Sequence, residues 1–148
     1  RITFETTQAL NGAADNVDGF VVGGAGDNIN FDFGVGANIV QTALRGTGAV
    51  AERLAAGAAL GVNTGFVTTS VDIADAAAAL AHAVGLTGEG ADDVIYLLTS
   101  TDASADSVAT LYHCAYTGVG AATLTTLATF DAVDIDDMTN ANFADFTL

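Results

Sequence analysis

Apolar and polar positions alternate with a period of two over several stretches of this chain, and that period predicts strands. Arg1–Thr6 sets Ile2 and Phe4 against Thr3 and Glu5, as a half-buried strand does. Asn28–Phe33 places Ile29, Phe31 and Phe33 on one face and Asn28, Asn30 and Asp32 on the other. Gly19–Val22 and Ala37–Leu44 read as short strands, and Val62–Ser70 as a loop or short strand rich in β-branched residues. Val94–Leu98 is apolar on both faces, the pattern of a central strand covered on each side. Val108–Tyr116 and Ala122–Phe130 flank a Thr-Gly-Val-Gly turn and predict a hairpin. Val108, Thr110, Tyr112, Cys114 and Tyr116 should share one face of it, and Leu124, Thr126, Ala128 and Phe130 one face of its second strand.

Two stretches carry the helical period. Ala49–Leu60 aligns Val50, Leu54 and Ala58, with Gly61 as a C-cap, although Gly57 weakens it by about 1 kcal/mol relative to Ala. Asp72–Val84 lines up Ile73, Ala76, Ala77, Leu80 and Val84, with Asp72 as the N-cap and Gly85 as the stop. His82 near its C-terminus is read as structural, since no Cys or His stands at metal spacing from it. Asp131–Asn142 is an acidic connection, and Phe143–Leu148 a closing strand. These elements predict a single α+β domain over residues 1–148, with a mostly antiparallel β-sheet or sandwich and two Ala-rich helices packed on it.

Composition bounds what such a domain does. The 148 residues are 51% apolar, too many for a disordered chain and enough for a core without staples. Three basic residues face 18 acidic ones, for a net charge of −15. That balance repels nucleic acid and anionic membrane surfaces, and no apolar run reaches the length of a membrane span. One cysteine, Cys114, excludes an internal disulfide framework. The chain opens at Arg1 rather than Met and shows no signal peptide, which predicts a fragment or processed product. Seventeen glycines with no proline put the turns on Gly, Asn and Asp, residues that also let carbonyl oxygens meet a cation.

Acidic chains of this kind either gain solubility from self-repulsion or bind hard cations, Ca²⁺ first among them. Two stretches are candidates for the second role. Gly23–Asn30 (GGAGDNIN) matches the glycines of the nonapeptide G-G-x-G-x-D-x-U-x, in which Asp and carbonyl groups hold Ca²⁺ between stacked turns. Asn28 stands at the Asp position and Asn30 at the apolar one, and a single copy, which cannot build a roll, reads first as a turn between strands and second as a partial calcium site. Asp27, Asn28, Asn30 and Asp32 are the candidate ligands here. The second stretch holds Asp131, Asp134, Asp136 and Asp137, like charges that repel unless a cation or open solvent screens them. A dinucleotide loop is excluded because a strand follows GGAG rather than a helix. His113 and Cys114 are neighbours on a strand, so they face opposite sides and form no base–nucleophile pair; a buried Cys and a surface His are expected. No catalytic constellation emerges, and the chain reads as non-enzymatic.

The carboxyl end adds a family resemblance. YLLTSTDASADSVATLYHCAYTG, the LATF-D-x-VD stretch Leu127–Asp134, and the ending Thr139–Phe146 resemble the C-terminal region of bacterial repeats-in-toxin proteins exported by type I secretion. That resemblance covers about the last 55 residues and lacks the tandem nonapeptides of the family. It implies export through type I secretion machinery, Ca²⁺-dependent folding outside the cell, and relatives among surface-layer, adhesin and matrix proteins. The expectation is therefore a secreted structural module that self-associates into a homo-oligomer or polymer, with Ca²⁺ as its ion. The alternative is a C-terminal secretion and folding module of a larger toxin, adhesin or hydrolase.

Overall fold

The computed structural model describes residues 2–5, 13–32, 50–61 and 64–143. Eight strands are described: β1 (Ile2–Glu5), β2 (Asp15–Val17), β3 (Ile29–Asp32), β4 (Val50–Leu54), β5 (Thr64–Thr69), β6 (Val94–Ser100), β7 (Ser107–Gly118) and β8 (Ala121–Val133). Among the described residues one α-helix, α1 (Ala76–Gly85), lies between β5 and β6. The fold is α+β, and the main sheet has six strands in the order β2-β8-β7-β6-β5-β4.

That sheet is mixed, not mostly antiparallel. β6, β7 and β8 run antiparallel, whereas β4–β5, β5–β6 and β2–β8 are parallel pairs. Strand direction is set by what crosses between strands. α1 carries the chain back over the sheet, so β6 returns parallel to β5 as a βαβ unit, while the Val119–Gly120 turn keeps β8 antiparallel to β7. β1 and β3 form a separate parallel ladder, Ile2 beside Ile29 through Glu5 beside Asp32.

The second expected helix, Ala49–Leu60, is not one. Its first half is β4, an edge strand paired with β5. A turn at Ala55–Gly57 follows, with Gly57 at φ +79°, and the chain stays extended as Leu60 N–H donates to Thr87 O at 2.8 Å. Ala, Glu, Arg and Leu favour helices, but the bonds offered by β5 outweigh a preference of a few tenths of a kcal/mol per residue. The first helix is present but starts later: Asp75, not Asp72, is its N-cap and accepts from Ala78 N–H at 2.9 Å, while Asp72 accepts from Ala103 N–H at 3.0 Å. Gly85 is its last residue rather than its stop.

Val94–Ser100 is buried throughout, as a central strand must be, and Thr64–Thr69 is equally buried. Two apolar layers result. On one face α1 seats Ala79 and Ala83 against Val67, Ile95, Leu97, Tyr112, Cys114 and Tyr116. Small side chains let the helix lie close, and the Tyr116 hydroxyl donates to Ala83 O at 2.9 Å, satisfying a carbonyl of the last turn. On the other face Phe66, Tyr96, Leu111 and Phe130 are covered by Phe20 from a loop, Ile29 from β3, Ile135 from a 3₁₀ turn and Phe143 near the end of the chain. Phe20 meets Phe130 edge-on at 5.3 Å, and Phe143 lies 3.9 Å from Phe66. Gly19–Val22, expected as a strand, is one of these coverings: Phe20 is buried and Val21 exposed, with no ladder.

The hairpin forms as expected, with one change of face. The register steps from Leu111 beside Ala128 to Tyr112 beside Thr126, leaving Leu127 as a bulge. Leu124 therefore packs on the helix side, while Ala128 and Phe130 join Leu127 on the other, so the expected common face of Leu124, Thr126, Ala128 and Phe130 is split. The expected strands Ala37–Leu44 and, beyond the Phe143 bridge to Ile29, the closing residues 144–148 lie outside the described residues.

Candidate functional site

Gly23–Asn28 folds as a turn held by its own backbone. Gly26 N–H donates to Gly23 O at 3.0 Å and Asp27 N–H to Val21 O at 2.6 Å, while the Asp27 carboxylate takes Val21 N–H at 3.0 Å. That last bond draws the Asp27 pKa below the usual carboxylate range. Gly26 is required here, because a Cβ would stand 2.1 Å from Val21 O. Glycine in this motif thus answers to the close passage of the chain over itself.

The turn is clasped from far along the sequence. Asn142, fully buried, accepts from Gly23 N–H and Thr139 N–H, each at 3.0 Å. Its amide nitrogen donates to Gly23 O at 3.2 Å and Asp27 O at 2.8 Å, and Asn28 donates in turn to Ala141 O. The turn is therefore brought against residues 139–142, just beyond the Asp131–Asp137 carboxylates, and the carbonyls that could face an ion converge on the Asn142 amide. One asparagine satisfies four backbone groups of two loops, as its donor and acceptor inventory permits.

The remaining candidates are dispersed. Asp134 caps the 3₁₀ turn Ile135–Asp137 and accepts from Asp136 N–H at 2.9 Å. Asp136 forms an ion pair with Arg53 of β4, whose guanidinium also reaches Ile135 O at 3.5 Å. Asp131 and Asp137 are exposed. Asn30 and Asp32 lie on β3 beside Thr3 and Glu5, and their side chains fall outside the described residues. Among the described residues, no three His, Cys, Asp or Glu side chains stand together as a metal group.

His113 and Cys114 do face opposite sides of β7, but His113 is buried rather than on the surface. Its ring packs edge-on against Tyr96 at 5.7 Å, and desolvation holds its pKa below the ordinary value. Burial pushes the Cys114 thiol up to about 12, so it carries almost no thiolate at neutral pH.

The sheet's two edges differ. At one end β4 carries Glu52 and Arg53, both engaged: Glu52 accepts from the Thr64 hydroxyl at 2.6 Å and Gly61 N–H at 3.4 Å, and Arg53 holds Asp136. At the other end β2 covers only Ala128–Phe130 of β8. Ala13 and Ala14, just before β2, are exposed and outside the ladder. Ala121–Leu127 thus has no outer neighbour among the described residues, and from Ala121 to Phe130 it contains no charge and no proline. Exposed edges are normally blunted by Lys, Pro or inward-pointing charges. The hairpin tip is fixed by buried Glu89, which accepts from Gly120 N–H at 2.8 Å, and Val119 projects beside it with 83% of its surface exposed. Asn142, Glu89 and the open edge were not singled out from the sequence; the uncharged run AATLTTLATF was the available sign of the last.

Compared with protein-family models, with curated proteins and with solved structures, the chain matches none.

Proposed function

We propose that this chain is a non-enzymatic extracellular structural module whose copies join into a layer, fibre or matrix, with Ca²⁺ as the counter-ion. The observation that carries the reading is the uncharged outer edge of β8 over Ala121–Leu127 on a chain of net charge −15. Strong self-repulsion keeps acidic copies apart, and an unblunted strand edge draws them together. A chain that combines the two is poised to assemble when its charge is screened.

Ca²⁺ supplies that screening through oxygen ligands. The exposed carboxylates Asp131 and Asp137, beside Asp134 and Asp136, are where it would concentrate, and the turn at Asp27 is clasped by Asn142, a few residues beyond them in the chain. A structural role is favoured over catalysis by the placement of His113 and Cys114 on opposite faces, both desolvated. Secretion rests on the resemblance of the carboxyl end to type I exported proteins.

Light scattering on the full chain, with added Ca²⁺ and then with chelator, tests this reading. Assemblies that grow with Ca²⁺ and shrink on chelation are expected. A monomer that only loses heat stability on chelation would instead favour a secretion and folding module, and indifference to both would remove Ca²⁺ from the account.

A further inference from the structure

Building on the self-association reading, we propose that the first contact is made by β8 with β8 of a second copy. Ala121–Leu127 of one protomer pairs antiparallel with the same stretch of its partner across a two-fold axis. The β4-to-β8 array of one protomer then continues into that of the partner as one sheet.

Three observations select this occupant. First, the ladder with β2 ends at Asp15 beside Ala128, leaving about 20 Å of strand edge without an outer neighbour among the described residues. Second, the stretch is uncharged, so a self-pair sets no carboxylate directly opposite another, and Asp131 falls beyond the paired segment. Pairing with β4 of a second copy would instead bring in Glu52 and Arg53, which already bind Thr64 and Asp136. Third, β6, β7 and β8 already run antiparallel, so an antiparallel partner extends the same bonding pattern. A two-fold contact uses the same patch on both copies and closes at two. The dimer is then the unit from which any larger layer or fibre is built, through some other surface. One strand pair buries little area, so the dimer is weak and concentration-dependent.

Its salt dependence follows from charge. Each copy carries −15, so added salt strengthens the pairing, the reverse of an interface held by salt bridges.

The test is sedimentation of the full chain over a range of concentrations, comparing wild type with T123K/T125K. Both threonines lie on the open edge, and the two lysines would lower the net charge and so reduce general repulsion. A dimer at least tenfold weaker in this variant, but not in the equally charged S70K/A77K on an exposed loop and the helix surface, supports the edge contact. Circular dichroism melting establishes that both variants fold. Independently, an equimolar mixture of T123C and T125C, whose cysteines stand opposite each other across a two-fold axis at Leu124, should crosslink into dimers on mild oxidation, and A77C should not. If wild type stays monomeric at every concentration and salt, the self-association reading itself fails. If it assembles but T123K/T125K assembles equally well, or polymers grow with no dimer plateau, the β8 pairing is overturned while that reading stands.

Discussion

The two ends of the main sheet meet the same problem in opposite ways. Both β4 and β8 present backbone groups at an edge, and an edge is a template for another strand. β4 answers with a local network: Glu52 holds the loop at Gly61 and the Thr64 hydroxyl, and Arg53 anchors the 3₁₀ turn at Ile135–Asp137. Among the described residues β8 is covered at its far half, where β2 pairs with Ala128–Phe130. Its near half, with the exposed Val119 at the hairpin tip, has no outer neighbour among the described residues and no charge of its own. In a chain with 18 acidic residues, a run from Ala121 to Phe130 without one is what separates an edge that is closed from an edge that is available.

Opening the protected edge should cost stability and leave association alone. Glu52→Ala strips the Thr64 hydroxyl, which is fully buried, of its partner. Leaving such a group unpaired costs about 1–3 kcal/mol, so the melting temperature should fall by several degrees. The dimerisation constant should not change, because β8 is untouched; a change in it would break the distinction between the edges.

Acid gives a smaller effect, spread over both sides of the sheet. His82 packs under α1 with its ring against the Leu54 carbonyl at the end of β4, and His113 sits on β7, next to β8. Each is buried with Nε2 lacking a hydrogen-bond partner among the described residues, and desolvation lowers both pKa values. The unfolded chain therefore binds protons at these sites before the folded one does. Their contribution is present above about pH 6.5 and is lost as pH falls from there through the folded values, by at most about 1.4 kcal/mol per pH unit for each histidine. Chemical denaturation in steps from pH 7.5 to 5.5 reads this directly, and a flat profile over that interval would contradict the burial of both rings.

What the sequence shows and hides follows from how local each feature is. The β7–β8 hairpin, the buried strand from Val94 and the helix around Ala79 rest on contacts between near neighbours, and their periodicities are plain. β4 reads as helix because Val50, Leu54 and Ala58 recur at a helical spacing, and only Gly57 speaks against that reading. The mixed strand order depends on pairings between distant segments, which no single window contains. The bulge at Leu127 moves Leu124 to the other face without disturbing the alternation of residues. The loop-covered face is the least legible, since Phe20, Ile29 and Phe143 come to it from opposite ends of the chain. The candidate site behaves likewise: Asp27, Asn28 and the acidic loop were marked from their chemistry, but their meeting at Asn142 needed the fold.

The most direct measurement is amide hydrogen exchange at low and high protein concentration, read separately for the two edges. The alternate amides of Ala121–Leu127 that β7 does not hold should exchange freely when dilute and slow as copies pair, while Val50–Leu54 stays unchanged. Exchange of Ala121–Leu127 that ignores concentration, or protection that appears at β4 instead, would contradict the assignment of assembly to the uncharged edge.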